Sequence, residues 1–284
     1  MSRIALPRVF AGATRAPKPP ADLAECADTW RQTGFVLGDE VEHVVAGLRL
    51  EGEHATAAAG SRFRTPAVAS AMGPWSRSWL ARLQALHAME WGDYSSAVLL
   101  VRGAADFLAA ACSLLESGGA EWSEWLAGGG VQLAPAEHAT EFRLHPFRSA
   151  ETLARRPGLG EVYRAASDLS LPHLGATALV TASESNPERY AATFGDRDFH
   201  VGMAELVLGW LLQLGMEAWQ AVRDAGDRLP PPPEGVERWV ADAQRMLARA
   251  DRCRMERVEH GGEPRMLVVN WRREPRSAPK RILL

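Results

Sequence analysis

The chain has 284 residues and a net charge of −3, and its 46% hydrophobic and 24% charged residues are typical of a globular protein with a sizeable core. Its three cysteines (Cys26, Cys112 and Cys253) are too few and too scattered for a disulfide framework or a zinc cluster, which predicts a reducing, cytoplasmic location. The abundance of arginine over lysine indicates a GC-rich bacterial genome, and the acidic middle of the chain excludes a broad surface for a polyanion.

Residues 1–20 are basic, contain no acid and end in Pro-Lys-Pro-Pro, a pattern that predicts a tail rather than a secretory signal. The next stretch, 21–229, is predicted to form one helical domain. It opens with one or two helices over 21–50, then a polar loop over 51–66 and a helix over 75–91 with apolar residues at helical spacing. Ten tryptophans are many for this length, and at helical spacing we interpret them as core residues.

The segment Tyr94–Glu116 is predicted to be the central helix of the fold. At 100° per residue, Ser95, Arg102, Asp106, Ser113 and Glu116 fall in one narrow arc, here called the polar arc. The remaining surface is apolar, which is typical of a helix surrounded by other helices. Arg102 and Asp106 near its middle would each cost about 2.5–3.5 kcal/mol in a bilayer, so we predict no transmembrane span.

After an irregular stretch with three prolines, helical periodicity resumes at Glu161–Leu169, breaks at Pro172 and returns in a long helix over 199–225. Residues 230–264 are predicted to form a proline spacer and a C-terminal helix, and residues 265–284 a basic extended tail. Few strand patterns and at least six helical ones predict an all-α fold. We expect an antiparallel helical bundle with a buried central helix and a short extended C-terminal segment.

Polar side chains on two predicted helices indicate a small pocket in this bundle. Arg102 and Asp106 lie one turn apart on the central helix, and Tyr163 and Ser170 are the predicted ligand-binding residues. His173 lies near a helix start, where the helix dipole keeps its imidazole neutral. If the pocket is catalytic, His173 is the base and Arg102, beside Asp106, holds an anionic group such as a phosphate. In the structural alternative, the polar arc meets water and His173 only makes a local hydrogen bond.

The sequence LLVRGAAD in the central helix, followed by YRAASDLSLPH, resembles a group of bacterial helical domains related to the HEPN superfamily (the helical "higher eukaryotes and prokaryotes nucleotide-binding" domains). The similarity covers roughly residues 75–225. It implies an antiparallel helical bundle, often dimeric, with a role in toxin–antitoxin or phage-defence systems. Some members of the superfamily are metal-independent ribonucleases.

Those ribonucleases carry an arginine four to six residues before a histidine on one helix, usually with a polar residue after the arginine. The chain has three such matches, which are Arg82–His87, Arg49–His54 and Arg254–His260. Its many arginines and 8 histidines give about two or three matches by chance, and an apolar residue follows the arginine in each match. The nuclease pattern therefore does not rise above chance.

These observations leave three hypotheses for the function. The first is a HEPN-like component of a defence or toxin–antitoxin system, and the second is a non-catalytic helical scaffold or partner-binding subunit. The third is a metal-binding bundle, for which Glu40 and His43, and His87 and Glu90, have helical ligand spacing without the further pairs that a di-iron site requires. We predict no metal, cofactor or membrane, but a protein partner or a homodimer, with nucleic acid a further possible partner of the basic termini.

Overall fold

The structure is a computed structural model that describes residues 4–129, 131–134, 139–182, 185–186 and 188–284, with only the backbone of 131–134 and 139–141. The protein is mostly helical and carries a small antiparallel sheet near its C-terminus. The helices are α1 (Ala24–Ala58), α2 (Pro66–Glu90), α3 (Tyr94–Glu116), α4 (Ala120–Ala127), α5 (Ser149–Arg155), α6 (Pro157–Ser170), α7 (Leu174–Thr181), α8 (Val201–Ala225) and α9 (Val236–Leu247). The strands are β1 (Val131–Ala134), β2 (Ala139–Phe142), β3 (Arg254–His260), β4 (Glu263–Trp271) and β5 (Lys280–Leu283).

Helix α3 lies in the middle of the helical body, the name used here for α1–α9. It packs against α2, α5, α6 and α8, and Ala97, Val101 and Ala104 on its apolar side are fully buried. The Asp93 side chain caps its first turn by accepting a hydrogen bond from the Ser96 amide at 3.2 Å. The bounds predicted for the central helix are therefore confirmed.

The prediction of a short extended C-terminal segment in an all-α fold is wrong, because the chain forms a three-stranded sheet there, in the order β3-β4-β5. Helix α9 ends at Leu247, and the residues predicted to continue it turn into β3. Gly261 and Gly262, both with positive φ, make the tight turn from β3 to β4. In the resulting antiparallel pair, Val258 of β3 lies opposite Arg265 of β4. The buried side chain of Val268 on β4 anchors the sheet against the helical body.

Two helical segments are long and apolar enough to cross a membrane, Tyr94–Glu116 and Val201–Arg228. In the tested windows, 61% and 83% of their residues are buried inside the protein. Core helices of a soluble protein pass the same test of length and composition, and this burial makes both segments core helices of the helical body.

Helix α9 is held by the indole of Trp239, which inserts between α1 and α8. A Cβ atom at Gly47 would lie 2.5 Å from this ring, and one at Gly215 would lie 2.6 Å from it. The indole Nε1 donates to the His43 carbonyl at 2.8 Å, and the His43 ring stacks on it with centroids 5.2 Å apart. Two glycines on neighbouring helices thus form the slot in which the α9 anchor lies.

Candidate functional site

The structure brings Arg102 and Tyr163 of the predicted pocket together across the contact between α3 and α6. Arg102 Nε donates to Ser167 Oγ at 3.0 Å, and an Nη donates to the Tyr163 hydroxyl at 3.4 Å. The guanidinium carbon also lies 5.5 Å from the centroid of the Tyr163 ring. Arg102 therefore binds α6 directly, and its contacts stabilise the packing of α3 against α6.

The remaining acids of the polar arc bind helices α5 and α6. Asp106 is exposed and accepts from Ser149 Oγ at 2.5 Å. Glu116 forms ion pairs with Arg155 at 2.6 Å and Arg156 at 3.1 Å. Asp106 does not pair with Arg102, the arginine one turn before it. The polar arc therefore holds α5 and α6 against α3 at a place that water also reaches.

His173 and Ser170 lie beyond this contact, where α6 ends. Ser170 Oγ donates to the carbonyl of Ser167 at 3.3 Å. His173 is the exposed cap residue of α7, and its carbonyl accepts from Thr177 Oγ1 at 2.7 Å. Within the described residues, no hydrogen bond joins the His173 ring to the other four predicted site residues.

None of the three arginine–histidine matches places both side chains on one exposed helix face. In two of them one member is fully buried, Arg82 with 2% and His54 with 1% of its surface exposed, whereas its partner is more exposed. The third match lies on strand β3 rather than on a helix. Two of the three matches thus lie on one helix each, α1 and α2, and the resemblance to HEPN ribonucleases stays a prediction.

The residues with helical metal-ligand spacing bind other parts of the chain. Glu40 and Glu90 both bind arginines, and His43 Nε2 donates to the Trp239 carbonyl at 3.0 Å. Among the residues that the structure describes, no group of three or more histidine, cysteine or acidic side chains is placed to hold a metal ion.

A cleft of about 730 Å³ lies between α6, α8 and the C-terminal sheet. Its lining on the sheet side is consecutive from Arg252 to Arg257, and on the other side it includes Glu161, Arg164 and Asp168 of α6. Successive side chains of a strand point to opposite faces, so consecutive lining residues show that both faces of β3 border the cleft. Both faces border an opening where the edge of a strand faces it. We refer to this opening as the β3 cleft.

The nucleophile nearest the β3 cleft is Cys253, which is 1% exposed. Burial raises the pKa of its thiol to about 12, so the reactive thiolate is absent at neutral pH. Among the described residues, the lining contains no histidine, serine or threonine. The described side chains of the β3 cleft therefore do not include an activated nucleophile.

Beneath the β3 cleft, a set of charged side chains joins the helical body to the sheet, and Glu40, Glu205 and Arg252 among them are buried. Arg252 Nη1 binds Glu40 Oε2 at 2.5 Å, and its Nη2 donates to the Glu205 carbonyl at 2.6 Å. Glu205 Oε2 accepts from the Cys253 amide at 2.9 Å. The junction cluster, as we call it, comprises Glu40, Glu205, Arg249, Arg252 and Arg272.

A second set of buried polar groups lies wholly inside the helical body. Arg82 and Trp75 both donate to Glu51 Oε1, at 2.5 Å and 2.6 Å. Among the described residues, Glu51 Oε2, both ring nitrogens of His54 and Trp219 Nε1 have no well-formed hydrogen bond, and the backbone of Pro231 is the polar group beside the His54 ring. We call this set the inner cluster; its members are Glu51, His54, Trp75, Arg82 and Trp219.

Sequence reasoning missed the β3 cleft because its walls come from three distant parts of the chain. One signal was present, since the Gly261-Gly262 pair between two stretches containing valine and methionine is typical of a hairpin turn. No family model, no curated protein and no solved structure matches the chain.

Proposed function

We propose that this protein is a non-catalytic, partner-binding helical protein whose β3 cleft holds an extended peptide segment of a partner. The observation that carries this proposal is the free edge of β3 at a cleft of ligand-binding size. The proposal corresponds to the scaffold hypothesis from the sequence, with the helical body as an antiparallel bundle that presents the sheet.

The backbone of β3 supports pairing with an added strand. In the sheet β3 pairs only with β4, and its residues form no backbone hydrogen bond outside that ladder in the described protein. Alternate peptide groups of an edge strand point away from its neighbour and can bind a second strand. Recognition by strand addition uses these groups for affinity and side-chain positions for specificity.

Four charged side chains around the cleft supply that specificity. Glu161, Arg164 and Asp168 on α6 and Arg257 on β3 form no hydrogen bond or ion pair with any described residue. Two charges of each sign favour a segment that itself carries acidic and basic side chains, because each charge then gains a partner on binding. Such a segment is the partner chemistry that we propose.

We place the protein in the cytoplasm. All three cysteines are free and buried, as is usual where thiols stay reduced. A cytoplasmic partner is then the natural source of the bound segment.

The binding test is a selection of displayed linear peptides on the full-length chain. We expect selected peptides to lose about tenfold or more in affinity on the R164E/R257E variant, since each lost pairing of charged groups weakens binding by about that factor. The matched control is R238E/R276E, which makes the same charge change at exposed arginines outside the cleft. On peptide binding, hydrogen exchange should slow in residues 254–260; unchanged exchange there, or equal affinity for both variants, contradicts the proposal.

The catalytic test separates this proposal from a HEPN-like ribonuclease of a defence system. We expect purified protein to leave single-stranded RNA intact. Cleavage of RNA that disappears in R102A or H173A would overturn the proposal and support the pocket predicted from the sequence. Cleavage lost instead in H87A would support the arginine–histidine pattern.

A further inference from the structure

Residues 11–17, within the stretch predicted to be a basic tail, lie in a groove formed by α1, α2 and the turn after α2. We call it the α1–α2 groove; residues 1–3 of the predicted tail lie outside the described chain. The segment has no regular secondary structure of its own, and Ala13 and Ala16 within it are buried. Its position therefore depends on the groove rather than on hydrogen bonds within the segment.

Side chains of the groove bind the backbone of this segment at four carbonyls, on either side of Arg15, and at one amide. Each of these bonds is between 2.7 and 3.0 Å long. The donors and acceptors are Arg49 Nε to the Ala13 carbonyl, His87 Nε2 to that of Thr14, Trp30 Nε1 to that of Ala16, Trp91 Nε1 to that of Pro17, and the Ala16 amide to Glu90 Oε2. Backbone recognition of this kind is how peptide-binding grooves hold an extended ligand.

One side chain of the segment is recognised specifically. Arg15 binds the carboxylate of Glu90 through Nε at 2.9 Å and Nη2 at 2.8 Å, and its guanidinium lies 5.6 Å from the centroid of the Trp30 ring. Glu90 is fully buried, and burial raises the pKa of its carboxyl group against the attraction of Arg15. A buried acid with an aromatic ring beside it is a pocket for arginine.

The groove is also shaped for small residues beside this arginine. A Cβ atom at Gly52 would lie 2.5 Å from the Ala11 Cβ, and its three nearest neighbours would all be atoms of Ala11. The segment therefore occupies the space directly above Gly52.

We infer that the α1–α2 groove is a recognition site for an extended arginine-containing segment and that residues 11–17 of a second copy occupy it when two chains exchange segments. The contacts of the groove are with local backbone groups and with Arg15, so none of them requires that segment and groove belong to one chain. A second copy presents the identical sequence, and exchange of an identical element is a low-cost route to a symmetric dimer. The prolines at 17, 19 and 20 stiffen the connection to α1.

The chain's own segment competes with the second copy. A short tether gives an effective concentration of about millimolar, so the wild-type protein exchanges only as its own concentration approaches that level. Weakening the segment in one chain and blocking the groove in another removes this competition. Exchange between such chains can then be measured at lower concentration.

The test mixes two complementary full-length variants. R15E/A16P keeps the groove but loses the arginine and the amide that bind Glu90; G52L keeps the segment but fills the space of Ala11. We expect each variant alone to be a monomer and their mixture to form a dimer in light scattering after gel filtration. A mixture that stays monomeric although both variants keep their helical circular dichroism overturns the inference. If R15E/A16P loses its helical signal, R15A replaces it with the same expectation.

A peptide measures the recognition itself. A labelled peptide of residues 8–20 should bind R15E/A16P saturably and quench the fluorescence of Trp30 and Trp91. The same peptide with Arg15 replaced by alanine should bind about tenfold or more weakly, the factor for losing one charge-assisted hydrogen bond. Equal binding of the two peptides, or none of either, overturns the site, and peptide binding without dimer formation overturns the exchange.

Discussion

The inner cluster and the junction cluster both bury a glutamate of α1 against an arginine, but they differ in how completely their hydrogen-bonding groups are used. In the junction cluster, Glu40 binds Arg249 and Arg252 with its two oxygens, and both oxygens of Glu205 also have partners. In the inner cluster, one oxygen of Glu51 and both nitrogens of His54 have no well-formed hydrogen bond among the described residues.

This difference in hydrogen bonding reflects which parts of the protein each cluster joins. The inner cluster connects neighbouring helices that apolar side chains already fix on every side, so its spare polar atoms cost stability without altering the arrangement. The junction cluster connects α1 to residues 212 positions away in the chain, where the sheet has to be placed on the helical body. Directional hydrogen bonds to all four carboxylate oxygens of Glu40 and Glu205 determine that placement, although Arg272 Nε has no partner among the described residues. These bonds form the base of the β3 cleft.

The largest effect is expected for R82M in the inner cluster. It leaves Glu51 buried with only the Trp75 indole as a partner, and an uncompensated buried charge costs about 3–5 kcal/mol. Urea unfolding followed by circular dichroism measures this loss. The double variant E51L/R82M removes both charges and should regain most of the stability; a loss under about 1 kcal/mol for R82M alone would mean that the inner cluster contributes little.

Acid should destabilise the protein through two buried histidines, His54 in the inner cluster and His200 beside the sheet. Burial, helped by Arg273, lowers the pKa of His200 beside the sheet to about 4, and burial also lowers the pKa of His54. The folded state then binds fewer protons than the unfolded state, so stability is lost as the pH falls from about 6.5 towards 4. For His200 the full effect is about 3 kcal/mol.

The free energy of unfolding measured between pH 7 and pH 4 checks this expectation. H200N keeps a side-chain acceptor for the Met203 amide but does not titrate, so its stability should depend less on pH. An unchanged pH dependence in H200N would assign the acid effect to other groups.

A smaller loss, about 1–3 kcal/mol, is expected for R252M in the junction cluster. Here Glu40 keeps Arg249 as its partner at 2.9 Å, whereas Glu51 in the inner cluster keeps no cation. The ratio of the two losses, measured in the same urea series, tests the comparison directly. R252M as costly as R82M would show that the second partner of Glu40 does not compensate.

The smallest effect is a gain. H54F removes two buried nitrogens without well-formed hydrogen bonds and keeps a flat ring against Trp75 and Trp219, so we expect stability to rise by up to about 1 kcal/mol. Thermal unfolding at pH 7 measures it. H200F is the contrasting variant, because it removes the cap of α8 and should lower stability.

The helices were largely predictable because their apolar periodicity is local. The bounds of α3 were found from sequence, and the predicted helix over 199–225 corresponds to α8, Val201–Ala225. The prediction of a loop over 51–66 is wrong in its first part, since α1 continues to Ala58. Polar residues such as Glu51 and His54 suggest a loop, whereas the structure buries them against other helices.

The sheet and the sites were not predictable in the same way. The two apolar residues of β3, Met255 and Val258, are three positions apart, a spacing that fits a helix, and its pairing with β4 is what makes it a strand. Arg102 and Tyr163, which were singled out from the sequence, lie in contact, yet this contact uses Ser167, which the sequence did not distinguish from its neighbours. The partners of Glu40, Glu51 and Glu90 are fixed by the tertiary fold, so no local pattern indicates them.

The slot for Trp239 has a consequence for how this protein can vary. A methyl group at Gly47 or Gly215 would occupy the volume of the indole, so neither glycine can change while the tryptophan stays. Relatives of this chain should therefore show correlated exchange at three positions, with a larger residue at 47 or 215 only where 239 is small. Since α9 leads into the strands, these three residues limit how far the position of the sheet, and with it the shape of the β3 cleft, can change during evolution.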